Sequence, residues 1–414
     1  MIPLEEARAH VLAHCPALAS RAVALAEAVG CVSAAPVIAG LAVPAFRNAA
    51  VDGFAVRAAD VATAAEANPA RLRVVATVAA GATFTGSLGA GETVRIMTGA
   101  PVPDGADAVV MVERSRSSGP DHVELTARAA PHDGVRDAGD DIRAGDTVVP
   151  AGTVLTAAHL GVLASIGRAD VDVVPRPVVG VLSTGDELVA PGQFLRPGQI
   201  HDSNRAVLAA LLASTGCTVV DLGLIRDDEE AVATALTEGA ARCDALVSSG
   251  GVSMGDFDVI KLVLDKVADM RWMQIAMRPA KPFAFGVLTS PSRAVPVFGL
   301  PGNPVSSLVS FELLARPGLR RMAGHERLDR PRVRAVLEAA LPRRVDGKLH
   351  LPRVSVRFDG TAFRAAPVSA QGSHQMAATA GANALALLPD GDGLLAGEEV
   401  EVLLLDADSA LGGS

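Results

Sequence analysis

The chain has no Tyr, one Trp and only eleven Phe among 414 residues, too few aromatic rings for a row of base-stacking platforms. It also lacks excess base, since 46 acidic against 37 basic residues leave a net charge of −9. Nucleic acid is therefore excluded as the expected partner, although a local basic pocket for a phosphate or oxyanion is compatible with global acidity. Cysteine is scarce. Cys15, Cys31, Cys217 and Cys243 are widely spaced and form no C-x-x-C pair, which excludes a zinc cluster or a disulfide framework and reads as buried apolar residues. No basic stretch followed by an apolar core opens the chain, where Pro3, Glu5 and Glu6 stand instead, so no secretory signal is expected and a cytoplasmic location follows by default.

Membrane spans are not expected either. The uncharged run 147–167 is broken by Pro150 and Gly152, and the run 294–311 by Pro296, Pro301, Gly302 and Pro304, so both read as buried segments of a soluble fold. No Ser-His-Asp order, H-E-x-x-H or G-x-x-x-x-G-K-[ST] occurs, and the corresponding hydrolase, metalloprotease and P-loop classes lose support.

What is present is apolar substance. With 50% hydrophobic and 20% charged residues, the chain can bury large cores, and its length argues for about three or four domains. Residues 3–30 carry helical periodicity, with Leu4, Ala7, Val11 and Leu12 on one face and Leu25, Ala28 and Val29 on another. From 46 to 146 short β-like runs take over, at 72–78, 92–97, 108–113 and 122–127. Helical spacing returns at 154–166. A β-rich domain, 46–146, is therefore expected to be inserted into a helical linker domain made of 1–45 and 147–175. Between 176 and 326 apolar strands alternate with helical segments, the pattern of a three-layer α/β domain with a parallel-rich sheet. Residues 327–414 are again β-like and are expected to form a barrel-like domain. The expected class is α/β and β, multidomain.

Ligands of such α/β sheets bind beyond the carboxyl ends of the strands. Three polar, Gly-rich stretches stand there: Ser183-Thr184-Gly185-Asp186-Glu187, the run 248–258 with Gly250, Gly251 and Ser253, and Pro301-Gly302-Asn303-Pro304-Val305-Ser306. Glycines let backbone N–H groups approach an anion, and Ser and Thr hydroxyls complete a phosphate cradle. A tight strand-to-helix turn is the plainer reading of any one of them. Asp186, Glu187, Asp227, Asp228, Asp256 and Asp258 lie in or beside these loops; acids next to a phosphate call for an intervening Mg²⁺, or else they cap helices. The cationic counterpart is Arg278-Pro279-Ala280-Lys281-Pro282, which suits a doubly charged oxyanion or phosphate, or forms a solvated edge loop. Arg353 and the turn Gln371-Gly372-Ser373-His374 offer further oxyanion donors. Asp52, before Gly53, is a turn acid or an active-site carboxylate.

Taken in order, the stretch 52–56, Met97-Thr98-Gly99-Ala100-Pro101 with 105–110, Ser183-Thr184-Gly185-Asp186-Glu187-Leu188, the Gly-rich run 249–258, 281–286 and 299–307 resemble the molybdopterin molybdenumtransferase family, MoeA in bacteria and the E domain of gephyrin in animals. The likeness covers nearly the whole chain. It implies an enzyme that takes adenylylated molybdopterin and molybdate, cleaves the adenylyl phosphoanhydride with Mg²⁺, releases AMP and leaves molybdenum on the dithiolene. It further implies an elongated homodimer in which Asp52 and Thr98 act in trans, with transient contact to an upstream adenylyltransferase and to downstream maturation factors. By the same resemblance, Gly250, Gly251, Ser253, Gly302 and Ser306 hold the pterin phosphate and nucleotide side, and Asp227, Asp258 and Glu187 attend the metal, with Asp52 and Asp141 as further family carboxylates. Lys281, Arg353, Ser373 and Ser306 grip molybdate. Many members read K-P-G-K-P where this chain has Arg278-Pro279-Ala280-Lys281-Pro282, so Arg278 keeps a charge with a different geometry and Ala280 replaces a glycine. The related adenylyltransferase step and a cofactor carrier or scaffold are the alternatives. The β-rich domains on both sides of the α/β domain argue against the first, and the absence of a second catalytic domain and its linker argues against the second.

Overall fold

The structure, a computed structural model, describes residues 1–250, 259–290 and 293–412. Two compact units are present: one comprises residues 22–29 and 33–172, the other 1–21, 30–32 and 173–414.

The first unit is built on a six-stranded sheet in the order Ala108–Met111, Gly53–Val56, Glu92–Ile96, Ala70–Val78, His122–Leu125, Ser115–Ser117. Only Ala70–Val78 and Glu92–Ile96 run parallel. Gly53 is required by close approach: a Cβ there would stand 2.1 Å from the Val110 carbonyl oxygen on the neighbouring strand. Phe54, Val56, Leu72, Val110 and Leu125 form the core on one side of this sheet, and Ala55, Val94, Ile96 and Val109 on the other. The helix Ala157–Ser165 belongs to the same unit.

The second unit carries the α/β domain. Its sheet order is Thr218–Ile225, Val178–Thr184, Ala245–Ser249, Arg293–Leu300, Pro282–Ser290, Ala268–Gln274. The first four strands are mutually parallel and Pro282–Ser290 alone runs against the rest, so the carboxyl ends of Val178–Thr184, Ala245–Ser249 and Arg293–Leu300 face one way and release their loops on one edge. Strands buried on both faces explain their unbroken apolar runs. Helix Leu4–Ala13, which the sequence groups with 147–175, contributes Ala7 and Val11 to the same core as Phe298, Leu308 and Leu319. The helical pattern does not run on to residue 30: Arg21–Ala24 is extended and Leu25–Ala28 is a single helical turn. Five strands, Arg332–Leu337, Phe363–Pro367, Arg353–Phe358, Ala384–Leu387 and Glu399–Leu404, close into a barrel around Val354, Val356, Ala384 and Val402. Among the described residues no helix is long and apolar enough to cross a membrane.

Candidate functional site

The ends of three parallel strands meet at Gly250. Gly250 donates its N–H to the Leu300 carbonyl at 3.1 Å, and its φ of +95° is in the left-handed region. A Cβ on Gly250 would lie 3.0 Å from the Thr184 carbonyl oxygen, and one on Gly302 would lie 3.8 Å from Gly250 Cα. Gly250 is thus in close approach to Thr184, Leu300 and Gly302 at the ends of three strands, and glycine at 250 permits it. Gly251, Ser253 and Asp258 lie outside the described residues.

The segment that ties these loops together was not foreseen as functional. Asp202, 2% exposed, accepts the Ser183 hydroxyl at 3.2 Å and the Arg205 backbone N–H at 3.1 Å on one oxygen, and Arg205 Nε at 3.0 Å on the other. Asn204, the first residue of helix Asn204–Thr215, donates from Nδ2 to Ser249 Oγ and to the Gly302 carbonyl, each at 2.7 Å. Polar residues at a helix start read as caps, and only the sheet order shows that these two reach all three loops.

Acids gather on the outer side of the cradle. Asp228 is the N-cap of helix Glu229–Arg242, its carboxylate accepting the Ala231 N–H at 2.9 Å, which leaves Asp227 outside the cap. The Asp227 N–H points to Asp186 Oδ1 at 3.4 Å. Burial raises the Asp227 carboxyl above the ordinary carboxylate value, and the neighbouring charges of Asp186 and Glu187 push it the same way. Mutually repelling carboxylates are the donor type that a hard cation such as Mg²⁺ takes. Among the described residues no three His, Cys, Asp or Glu side chains are gathered closely enough to hold a metal ion.

On the same unit, a cavity of about 1130 Å³ is lined by Arg278, Lys281, Ser306, Arg344, Lys348, Arg353 and Ser373. The turn carrying the first two is pinned at both ends: the Arg278 carbonyl accepts Leu351 N–H at 2.8 Å, and the Lys281 carbonyl accepts Ile275 N–H at 2.8 Å. Between them Ala280 sits at a φ of +73°. Lys348 is paired with Asp346, whose carboxyl is held down to about 2 by hydrogen bonds from His350 and then Lys348. Arg278, Lys281 and Arg344 have no hydrogen-bond or ion-pair partner for their side chains among the described residues. Ser306 is 5% exposed, and the Ser373 carbonyl accepts the Val305 N–H at 3.0 Å, joining the cavity's two walls.

Arg353 lines the cavity with its guanidinium already engaged. Only 1% exposed, it donates to Thr379 Oγ1 at 2.9 Å, the Ala370 carbonyl at 2.7 Å, and the Gly372 carbonyl and Gln371 Oε1 at 3.3 Å. It holds the turn that presents Ser373.

The family description for the MoeA N-terminal region (domain I and II) matches residues 2–167, that for a probable molybdopterin binding domain 180–321, and that for the MoeA C-terminal region (domain IV) 334–405. The chain is 35% identical over 406 residues to the molybdopterin molybdenumtransferase of Haemophilus influenzae, covering 97% of this chain and 98% of that one. The chain belongs to the molybdopterin molybdenumtransferase family. A second relative, molybdopterin molybdenumtransferase 2 of Mycobacterium tuberculosis, is 39% identical over 378 residues, covering 89% of this chain and 90% of the other. A solved MoeA structure from Pyrococcus horikoshii superposes with a TM-score of 0.82 at 32% identity, covering 98% of this chain and all of its own.

In the first unit, within the span of the family's N-terminal region, Asp52 and Thr98 meet. Asp52 Oδ1 accepts both the Thr98 N–H and its hydroxyl, each at 2.7 Å. These two bonds, with Arg95 adding a minor attraction, hold the carboxyl below its ordinary value. Asp141 is also exposed and its N–H bonds the Val43 carbonyl at 3.0 Å, with no hydrogen bond to either residue of the pair.

Proposed function

We propose that this chain inserts molybdenum from molybdate into adenylylated molybdopterin, with Mg²⁺-dependent cleavage of the adenylyl phosphoanhydride and release of AMP. The observation that carries this reading is the cavity: Arg278, Lys281 and Arg344, whose side chains have no partner among the described residues, line it in a chain whose net charge is −9. Such a site favours a dianion. Lys281, Ser306 and Ser373 take the molybdate oxygens, and Arg353 keeps Ser373 in place. Ser183, Thr184, Gly185, Gly250 and the run Pro301-Gly302-Asn303 bind the phosphates, with Gly251 and Ser253 on the adjoining stretch. Mg²⁺ held by Glu187, Asp227 and Asp258 would neutralise charge on the phosphoanhydride. Phosphoryl chemistry of this kind needs little beyond positioning and charge neutralisation, and this chain supplies both.

The working form is a homodimer, with Asp52, Thr98 and Asp141 serving the mate's site. The cytoplasm is the compartment, in keeping with four free, buried thiols. Substrate arrives from an upstream adenylyltransferase, and product leaves for maturation factors of molybdoenzymes. The test is AMP release from adenylylated molybdopterin: it should require both molybdate and Mg²⁺. AMP release that ignores molybdate would refute the transferase reading.

A further inference from the structure

Helix Leu4–Ala13 ends in a histidine pair. His10 lies in its last turn and His14 is its C-cap, with the two imidazole centroids 4.6 Å apart and the rings tilted by 54° rather than stacked. Two imidazoles that share one ion at metal–nitrogen distances of about 2.0–2.1 Å place their centroids roughly 4.5–5 Å apart, so the observed spacing suits a common ion. His14 Nδ1 stands 2.8 Å from the His10 carbonyl oxygen; a carbonyl only accepts, so Nδ1 carries the proton and Nε2 of the neutral ring keeps its lone pair. A ring N–H given to a backbone carbonyl is the supporting contact that metal-ligating histidines usually make. His10 meets the buried Phe285 ring edge to face, with centroids 5.6 Å apart, which limits its orientation. Burial, then His14 and Arg271, lower the His10 pKa against the pull of Asp269, so this ring too is neutral at neutral pH. Arg271 is itself tied to Glu6 at 2.6 Å, whereas the Asp269 carboxylate and the negative end of the helix both favour a cation here. His14 is exposed and His10 half-buried, which leaves the pair open to an ion from solvent.

We infer that His10 and His14 bind a divalent transition metal of the zinc or copper class, through one imidazole nitrogen each, with water in the remaining positions. Imidazole nitrogens select such metals, whereas hard Mg²⁺ takes carboxylate oxygens, so this site is independent of the proposed function and of its metal. The ion would clip the last turn of the helix to its C-cap.

The experiment is calorimetric titration of the full-length, tag-free protein with ZnCl₂ and, separately, with CuCl₂, both in excess Mg²⁺. Losing only a hydrogen-bond partner of a metal ligand usually costs about 10- to 100-fold in affinity, so His10→Gln and His14→Gln should each weaken binding by about tenfold or more. Glutamine is a good helix former, and the metal-free melting temperature should stay unchanged in both variants. Zinc should raise the melting temperature of the wild type and not that of the double variant, because the ion binds the folded helix end. The electron paramagnetic resonance spectrum of the copper form should show two imidazole nitrogens in the wild type and one in either single variant. A wild type that binds neither ion, or affinities and a copper spectrum that survive both substitutions, would overturn the site.

Discussion

Thr98 gives Asp52 two hydrogen bonds to a single carboxylate oxygen, both at 2.7 Å, although the pair is exposed and far apart in sequence. The strand pairing makes this possible, because Gly53 and Ile96 are register partners and the two residues flank that step. An acid ionised and held in one orientation suits a group that binds or orients a cationic or proton-donating partner. Thr98→Val removes the hydroxyl donor and should raise the Asp52 pKa toward the ordinary range. The sign is fixed: the folded pKa is depressed, so the stabilisation exists above the unfolded value and fades as pH falls. Carboxyl NMR titration checks the shift, and the acidic limb of the AMP-release profile should move upward with it.

Lys281 lines the cavity with no side-chain partner among the described residues, and its backbone is pinned by Ile275. Lys281→Met should raise the KM for molybdate by about 10- to 100-fold, as expected for loss of a charge-assisted bond, while the Mg²⁺ requirement stays the same. Steady-state kinetics with molybdate varied at fixed Mg²⁺ reads both.

Ala280 holds a φ of +73°, a region where a side chain costs about 1–2 kcal/mol. Ala280→Gly should relieve that strain and, after the greater freedom of glycine in the unfolded chain, leave a net gain of about 0.5–1 kcal/mol. Urea denaturation measures it.

Glu312 lies in the π-helical turn Phe311–Ala315, 1% exposed in its side chain, and receives Arg330 through two bonds of 2.9 Å. Arg316 is 3.8 Å away, its guanidinium lowered to about 10 mainly by burial. Removing the carboxylate leaves the buried Arg316 and the half-buried Arg330 without their anion, so Glu312→Gln should destabilise the unit by about 3–5 kcal/mol in the same denaturation assay.

His325 is lowered to about 4 by burial and then by Arg320 and Arg316, and its Nδ1 has no partner among the described residues. Between that value and the ordinary 6.5 the unfolded chain binds more protons than the folded one. Stability therefore falls as pH drops from 6.5 toward 4, by on the order of 1–2 kcal/mol after allowing for partial exposure. His325→Phe should flatten that part of the melting-temperature profile.

The strands and helices from 178 to 249 were legible because their hydrophobic period switches cleanly between strand and helix. The antiparallel pair Pro282–Ser290 and Arg293–Leu300 was not, since Pro296 interrupts an otherwise apolar run and only its place opposite Val287 shows it to be strand. Alanine misled at the amino end, where Arg21–Ala24 has helix-forming composition but pairs as a strand. At the site, residue types announced the loops and the cations. They did not announce Asp202 and Asn204, whose work depends on which strands are neighbours, or that Arg353 spends its donors on the chain itself.

The most direct test of the account counts the molybdenum atoms bound to cofactor for each AMP released by the purified protein with molybdate and Mg²⁺. One molybdenum per AMP is the predicted result, with both falling together in Lys281→Met at low molybdate. AMP released without molybdenum on the cofactor would contradict the claim that this chain couples the two events.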